Sequence, residues 1–276
     1  VRASGGAISA VVTDWLKRFR ADRVAAKAEL AAFLLRSMSA GLEEEYVAPA
    51  DGLAASDSDE LEELRERFEA DLKEAYMGGG GDGSGATEDD AMYPLVLGQG
   101  RGGGGGGGGA AAASFKGYAE RFGDFWRRLA NSVNPAKPEH IALLEELLDF
   151  AAGFAGGSMA SASPINAVRH TAAAAAFRIA LTLQERSRRE AKKAENAKKA
   201  GQAAKAGGRG GSVASELARL ANHAFTTIFT FRYKDSSAAI RCCSLSYLGE
   251  LVGGSDDAHA VSTFQYVVLM LDRKSV

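Results

Sequence analysis

The first forty residues alternate between apolar and polar positions with the period of an α-helix. Apolar side chains recur every three or four residues, first at Ile8, Val11, Val12, Trp15, Leu16 and Phe19, and then at Leu30, Phe33, Leu34 and Met38. Each stripe is typical of a helix that packs one face on a core. Asp22 lies between the two stripes, where its side chain can cap the second helix. The pattern therefore predicts an antiparallel helical hairpin.

The region from 41 to 114 predicts one helix between two irregular stretches. Residues 41–57 have the composition of a loop, and Asp57 with Glu60 resembles a capping box that opens a helix to about Tyr76. From 77 to 114 the chain is mostly Gly, Ala and acidic residues, with eight consecutive glycines at 102–109. We expect this Gly-rich insert to be disordered, because it buries too little apolar surface to offset its conformational entropy. One apolar island interrupts it, Tyr93-Pro-Leu-Val-Leu97.

The helical period returns after the insert and continues to residue 211. A dense aromatic stripe predicts a helix that ends near 131–135: Phe115, Tyr118, Phe122, Phe125, Trp126 and Leu129. Pro138 opens the next helix, which runs to the Gly-Ser-Ala stretch at 156–163. Helicity restarts at Pro164 and continues through an Ala-rich run into a basic segment. We expect that segment to form a long projecting arm that Gly207–Gly211 ends.

Three further helices are predicted at about 213–232, 235–252 and 257–271. The second carries Asp235, Ile240 and Arg241 ahead of an apolar stripe, which is the second-helix pattern of a HEAT-type repeat. In such repeats the Asp caps a helix or pairs with an Arg of a neighbouring unit. Since no segment shows sustained alternation of period two, the sequence predicts an all-α, HEAT-like α-solenoid of antiparallel helical hairpins with disordered Gly-rich inserts.

Charge is sorted by region along the 276 residues, although the net charge is only −2. Residues 41–92 hold 17 acidic and 3 basic groups, a net charge of −14, so the rest of the chain carries +12. Residues 186–209 alone hold 9 basic and 2 acidic groups. A row of Lys and Arg on a helix can neutralise phosphates without reading base sequence. A solvated surface helix explains the same composition.

Cysteine use and hydropathy indicate a soluble intracellular protein. Cys242 and Cys243 are adjacent on a predicted helix, where they cannot form an ordinary disulfide framework. No stretch of 18 uninterrupted apolar residues occurs, and no signal peptide opens the chain. We therefore expect no membrane partner.

The residues that could support catalysis do not form a recognisable constellation. The four histidines are far apart in sequence: His140, His170, His223 and His259. Gly156–Ala160 departs from a nucleophile elbow at its last position and follows no strand, and Gly98–Gly103 matches a dinucleotide fingerprint only because it is Gly-rich. We expect a protein that is not an enzyme, with no cofactor, no metal and no small-molecule substrate.

Taken in order, the motifs resemble the cohesin stromal-antigen (STAG, or stromalin) subunit. The opening of its STAG domain resembles Ala10–Leu16 with Asp22-Arg23 and the Leu30–Leu35 helix. Tyr93-Pro-Leu95, the aromatic helix and Val168-Arg-His-Thr171 recur there in the same order. Ile228–Asp235 with Ile240-Arg241 resembles the start of the stromalin conservative domain. The resemblance spans most of 7–274, outside the inserts.

This resemblance implies four regions: a STAG-domain hairpin at 1–40, an acidic helix and Gly-rich insert at 41–113, the remaining STAG helices with the basic arm at 114–211, and the start of the HEAT-repeat stromalin domain at 212–276. It also implies a non-catalytic, nuclear, chromatin-bound subunit that binds the kleisin subunit, double-stranded DNA and cohesin regulators in sister chromatid cohesion.

The resemblance also places two sets of binding residues. The family's basic DNA-binding surface corresponds by region to Arg188, Arg189, Lys192, Lys193, Lys198 and Lys199. A surface for aromatic-containing regulator peptides corresponds to Tyr233 and Lys234, although Val268 stands where the family has a Trp. Without the resemblance, a generic HEAT or armadillo adaptor for protein partners, with a solvating basic arm, explains the same residues.

Overall fold

The computed structural model describes residues 5–39, 58–77, 93–97, 115–156, 162–199 and 203–253, and the regular elements among them are all helical. The first five helices are α1 (Gly5–Ala21), α2 (Arg23–Arg36), α3 (Ser58–Met77), α4 (Pro94–Leu97) and α5 (Tyr118–Ser132). The next three are α6 (Pro138–Ala155), α7 (Asn166–Lys199) and α8 (Ala203–Ala224). A π-helical turn (Phe225–Phe229), α9 (Thr230–Arg232) and α10 (Ala238–Gly253) follow.

Helices α1 and α2 form the hairpin that the sequence predicts. Asp22 is the N-cap of α2, and its Oδ1 accepts a hydrogen bond from the Ala25 amide at 3.0 Å. The indole of Trp15 donates to the Ala26 carbonyl oxygen at 3.0 Å, so a buried polar group also ties the two helices together. From the first predicted stripe Val11 stays half exposed, whereas the other five side chains are buried.

Aromatic side chains join this hairpin to α5. Phe33 of α2 packs against three rings of α5, those of Phe122, Phe125 and Trp126, with ring centroids 4.6 to 6.0 Å apart. Trp126 is completely buried. Fully burying an aromatic side chain of this kind contributes about 1.5 to 3 kcal/mol or more, so the aromatic stripe is core, as its spacing predicts.

Helix α3 packs on α6 at a point where a side chain would not fit. A Cβ on Gly153 would lie 2.3 Å from Leu61 Cδ2, so glycine allows the close approach of the two helices. Arg65 of α3 reaches the Gly153 carbonyl oxygen at 3.4 Å. The predicted α3 is confirmed from Ser58, and Asp57 of the expected capping box lies outside the described residues.

The prediction that Gly207–Gly211 ends the basic arm is wrong. Helix α8 begins at Ala203 and includes these glycines, so the arm is one half of a long α7/α8 hairpin. Ser187 Oγ of α7 donates to the Ala214 carbonyl oxygen at 2.7 Å. Each helical glycine costs about 1 kcal/mol relative to alanine, and burial of the α8 face through Leu217 and Leu220 offsets that cost.

A buried ionic cluster fixes the final helices against the start of α7. Arg169 donates to both Asp235 carboxylate oxygens, from Nε to Oδ2 and from Nη2 to Oδ1, each at 3.0 Å. Arg232 donates to Oδ2 at 2.5 Å, and the three side chains are no more than 7% exposed. The expected pairing of Asp235 with an Arg of a neighbouring unit is confirmed.

The described helices form an all-α, HEAT-like α-solenoid, as the sequence predicts. The hairpins α1/α2 and α7/α8 are joined by α5 and α6, which both pack on α7, while α1 packs on α5. Helix α10 closes on α7, where Phe177 and Tyr247 stack with centroids 4.5 Å apart. The predicted helix at 257–271 lies outside the described residues.

We predict that Asp235→Ala lowers the free energy of unfolding by about 3 to 5 kcal/mol, because it leaves two buried guanidinium groups without their carboxylate. Glu250→Ala is the matched control. It removes the half-exposed partner of Arg178 in another ion pair between helices, and it should cost about 1 kcal/mol or less. Urea unfolding followed by circular dichroism measures both. Equal losses in the two variants would contradict the structural role of the cluster.

Candidate functional site

The basic segment lies on the second half of α7, and most of its charges face solvent. Arg189, Lys193 and Lys199 are 59%, 71% and 71% exposed in their side chains, and Lys192 is exposed as well. Arg188 is half-buried and donates to the Leu251 carbonyl oxygen of α10 at 3.3 Å. Lys198 is on the same helix, and its side chain lies outside the described residues.

Carboxylates one turn away on the same helix accompany three of these cations. The pairs are Arg189–Glu185 at 3.4 Å, Lys193–Glu190 at 2.8 Å and Lys199–Glu195 at 2.7 Å. Exposed pairs at this spacing contribute only about 0.3 to 0.5 kcal/mol. These ion pairs are weak, so each cation can replace its carboxylate partner with a phosphate at little cost in free energy.

Arg186 belongs to the basic segment in sequence, but its side chain stabilises the fold. It donates to the carbonyl oxygens of Ala130 and Val133, the latter at 3.0 Å. These are carbonyl groups at the carboxyl end of α5, which have no partner within that helix. Burial lowers the pKa of Arg186 below its ordinary value. Arg186 therefore anchors the base of the arm to the α5/α6 loop.

A second group of basic residues lies at the same end of the bundle, and sequence reasoning missed it. Arg20 and Arg23 flank the α1/α2 turn, and Lys137 precedes α6. The three charges are close enough that, after burial, they help to lower the pKa of His140 against the opposing effect of Glu139. We call Arg20, Arg23 and Lys137 the basic corner.

The basic corner adjoins the base of the arm. Lys137 follows Val133 by four residues, so their Cα atoms are at most about 14 Å apart, and Val133 accepts a hydrogen bond from Arg186. The corner and the arm therefore lie at one end of the molecule. The sequence indicates the basic corner only in that each of its residues is next to a predicted turn. Its proximity to the arm results from the packing of three separate helices and cannot be read from the sequence.

The expected peptide-binding pair lies at the opposite end of the α7/α8 hairpin. Tyr233 is half-buried and stacks on Phe229 with ring centroids 5.6 Å apart. Lys234 is exposed, with Nζ 5.7 Å from the Phe231 ring and 5.9 Å from the Tyr233 ring. Val268 lies outside the described residues. Tyr233 and Lys234 thus form an aromatic and cationic surface whose third predicted position is not described.

The two predicted site groups are far apart. Arg169, which contacts Asp235 beside Lys234, precedes Lys192 on the same helix by 23 residues, or about 35 Å at the rise of an α-helix. A single small ligand cannot contact both groups. Two macromolecular partners can do so at once.

The described histidines have partners within the fold. His170 lies 2.6 Å from the Tyr93 hydroxyl through Nδ1, and burial lowers its pKa to about 4. His140 Nδ1 accepts from the Asn134 amide at 2.7 Å, and His223 Nε2 lies 2.6 Å from Asp149 Oδ1. His259 lies outside the described residues. Within the described ranges no group of three or more His, Cys, Asp or Glu is placed to hold a metal ion.

None of the described helices combines the length and the apolar character needed to cross a bilayer.

Solved structures include a chain with the same fold. This chain matches cohesin subunit Scc3 from Z. rouxii, residues 88–1035, with a TM-score of 0.61 over 88% of its length at 14% sequence identity. It spans 26% of that Scc3 chain. No family model matches the sequence, and no curated protein matches it. The likeness shows a shared helical fold and supports the resemblance that the sequence motifs suggest.

We predict that Arg186→Ala lowers the free energy of unfolding by about 1 to 3 kcal/mol, because it leaves buried carbonyl groups of α5 without a donor. Arg189→Ala, one turn further along α7, removes the same charge from an exposed position and should change stability by about 0.5 kcal/mol or less. Thermal unfolding of the two variants measures the difference. If Arg186→Ala were as stable as Arg189→Ala, Arg186 would belong with the surface cations.

Proposed function

We propose that this chain is part of a non-catalytic cohesin subunit that scaffolds the ring complex on chromatin in the nucleus during sister chromatid cohesion. The observation that supports it is the fold shared with Scc3 over 88% of the chain, together with the order of STAG-like motifs in the sequence. The kleisin subunit, double-stranded DNA and regulators are its proposed partners. The division into STAG and stromalin domains at about residue 212 stays a prediction.

The proposed DNA surface consists of the arm and the basic corner. The arm offers Arg188, Arg189, Lys192, Lys193, Lys198 and Lys199, and the corner adds Arg20, Arg23 and Lys137. Side chains of this kind on a rigid helix neutralise backbone phosphates and release counterions, which supplies affinity without base readout. Because the exposed arm cations have only weak internal pairs, binding DNA does not require breaking a buried interaction.

The proposed regulator surface consists of Tyr233 and Lys234 at the other end of the hairpin. An exposed ammonium beside two aromatic rings can accept an aromatic peptide side chain through stacking and cation–π contact. The separation of about 35 Å along α7 allows this surface to be occupied while DNA is bound. Such an arrangement is suited to a scaffold.

We predict that Lys192→Glu with Lys193→Glu weakens binding to a short DNA duplex by about tenfold or more at low salt and makes the salt dependence less steep. Each lost phosphate contact should reduce the slope of log K against log salt by about 0.9. Both lysines are exposed, so the fold should persist. Fluorescence anisotropy with a labelled duplex at several salt concentrations provides the measurement.

Lys73→Glu on α3 is the matched control, because Lys73 is also exposed but lies on the acidic helix. It should leave DNA affinity within about twofold of the parent. Arg20→Glu with Lys137→Glu should also weaken binding if the corner continues the surface. Binding that is absent, or independent of salt and of the arm, would contradict the DNA-binding scaffold and favour a generic HEAT or armadillo adaptor.

A further inference from the structure

A shallow cleft rich in arginine lies away from the arm, where the start of α1 meets the outer face of α5 and the middle of α7. Four arginines and two carboxylates line it, with two apolar side chains and a glycine: Arg121, Arg127, Arg128, Arg178, Glu120, Asp124, Ile8, Ala119 and Gly123. The lining therefore has an excess of two positive charges. We call it the arginine cleft.

The ion pairs in the arginine cleft leave positive charge uncompensated. Arg127 and Arg128 share one carboxylate, that of Asp124, at 2.5 and 2.6 Å. Although partial burial acts to raise it, the pKa of Asp124 is held below its ordinary value by hydrogen bonds from Arg128 and Arg127. One carboxylate therefore balances two guanidinium groups here.

The other two arginines are also available to a ligand. Arg121 donates from Nη2 to the Lys116 carbonyl oxygen at 2.6 Å, and it has no carboxylate partner among the described residues. Its Nε is buried without a hydrogen-bond partner there, so a ligand would have to bind the guanidinium through its Nη atoms. Arg178 pairs with Glu250 at 3.0 Å, where both side chains are at least 37% exposed. An exposed pair of this kind exchanges readily for a ligand carboxylate.

The cleft is preformed. Its walls are helices α1, α5 and α7, which are held by the aromatic core and by Arg186. A Cβ on Gly123 would lie 3.3 Å from Arg178 Nε, so the glycine leaves room for the Arg178 side chain to lie across α5. Preorganised guanidinium groups lose little entropy on binding a carboxylate, and they match its geometry with two parallel hydrogen bonds.

The chemistry of the cleft fits a peptide better than DNA. Glu120 and Asp124 stand among the arginines and would repel a continuous phosphate backbone, whereas separate carboxylates can lie between them. Ala119, which is half-buried, adds a small apolar contact for a neighbouring side chain. Arg178 also precedes Lys192 by 14 residues, or about 21 Å along α7, so the cleft is separate from the exposed arm.

We propose that the arginine cleft binds an acidic peptide segment of a protein partner, with Asp or Glu carboxylates on Arg121, Arg127 and Arg178 and an apolar side chain against Ala119. The interaction does not depend on the proposed cohesin role. It gives the chain a third binding surface, between the DNA-binding end and the Tyr233 end.

The test uses a fluorescein-labelled peptide of twelve residues that alternates Glu-Asp pairs with Leu, measured by fluorescence anisotropy. We expect Arg127→Gln alone to weaken binding about threefold, and Arg121→Gln with Arg127→Gln to weaken it about tenfold, since each removes a cation from the cleft. Arg67→Gln with Lys73→Gln on α3 removes the same charge elsewhere and should have no effect beyond about twofold. Thermal unfolding checks that each variant is folded. The Arg127 side chain is 54% exposed, so we expect its substitution to affect folding less than that of Arg121.

Parallel titrations with a DNA duplex separate this cleft from the arm. The double cleft variant should keep its DNA affinity, and Lys192→Glu with Lys193→Glu should keep its peptide affinity. Peptide binding unchanged by the cleft variants, or lost in the arm variant alone, overturns the proposal. Equal loss of DNA and peptide in the cleft variant identifies a DNA surface instead. A large gain of peptide affinity after Glu88→Gln, Asp89→Asn and Asp90→Asn would show that the chain's own acidic segment fills the cleft, which also overturns it.

Discussion

The contact between Arg169 and Asp235 is the constraint on which the carboxyl-terminal half of the fold depends. Both groups are almost completely buried, so neither can remain charged without the other. Their contact sets where the chain after α8 returns to α7, and Arg241 extends the cluster by donating to the carbonyl oxygens of Asp235 and Ser236 at 2.8 and 2.7 Å. Further along α7, at the base of the arm, Ser187 and Arg186 set the register of α7 against α8 and α5. Helix α7 is therefore fixed near its start and at the base of the arm, and it is the central helix of the molecule.

Because helix α7 is held in place, the charged surfaces along it are kept apart. The arm and basic corner gather cations at one end, the pair of Tyr233 and Lys234 lies at the other, and the arginine cleft lies between them. Each surface faces outward on helices whose inner faces are buried. A helical-repeat fold, which this chain shares with Scc3, separates surfaces along its length in this way.

Periodicity predicted the features that depend on local sequence. The α1/α2 hairpin, the Asp22 cap and the aromatic helix followed from spacing, because each reflects a helix face or a residue type with few alternatives. The pairing of Asp235 was one of two roles that the HEAT-type repeat pattern allowed. The glycines at 207–211 led to a wrong prediction of a helix end, because helix propensity describes an isolated helix. Helix α8 is stabilised instead by its packing on α7. The basic corner, the structural use of Arg186 and the four arginines of the cleft could not be predicted. They join residues from different helices, and only the packing of those helices brings them together.

The proposed scaffold role is tested most directly by co-purification of the protein with overlapping fragments that together cover a kleisin subunit. We predict that at least one fragment remains bound in a one-to-one complex through size-exclusion chromatography at physiological ionic strength. Retention of no fragment would contradict membership of the ring complex and leave a helical-repeat adaptor with other partners.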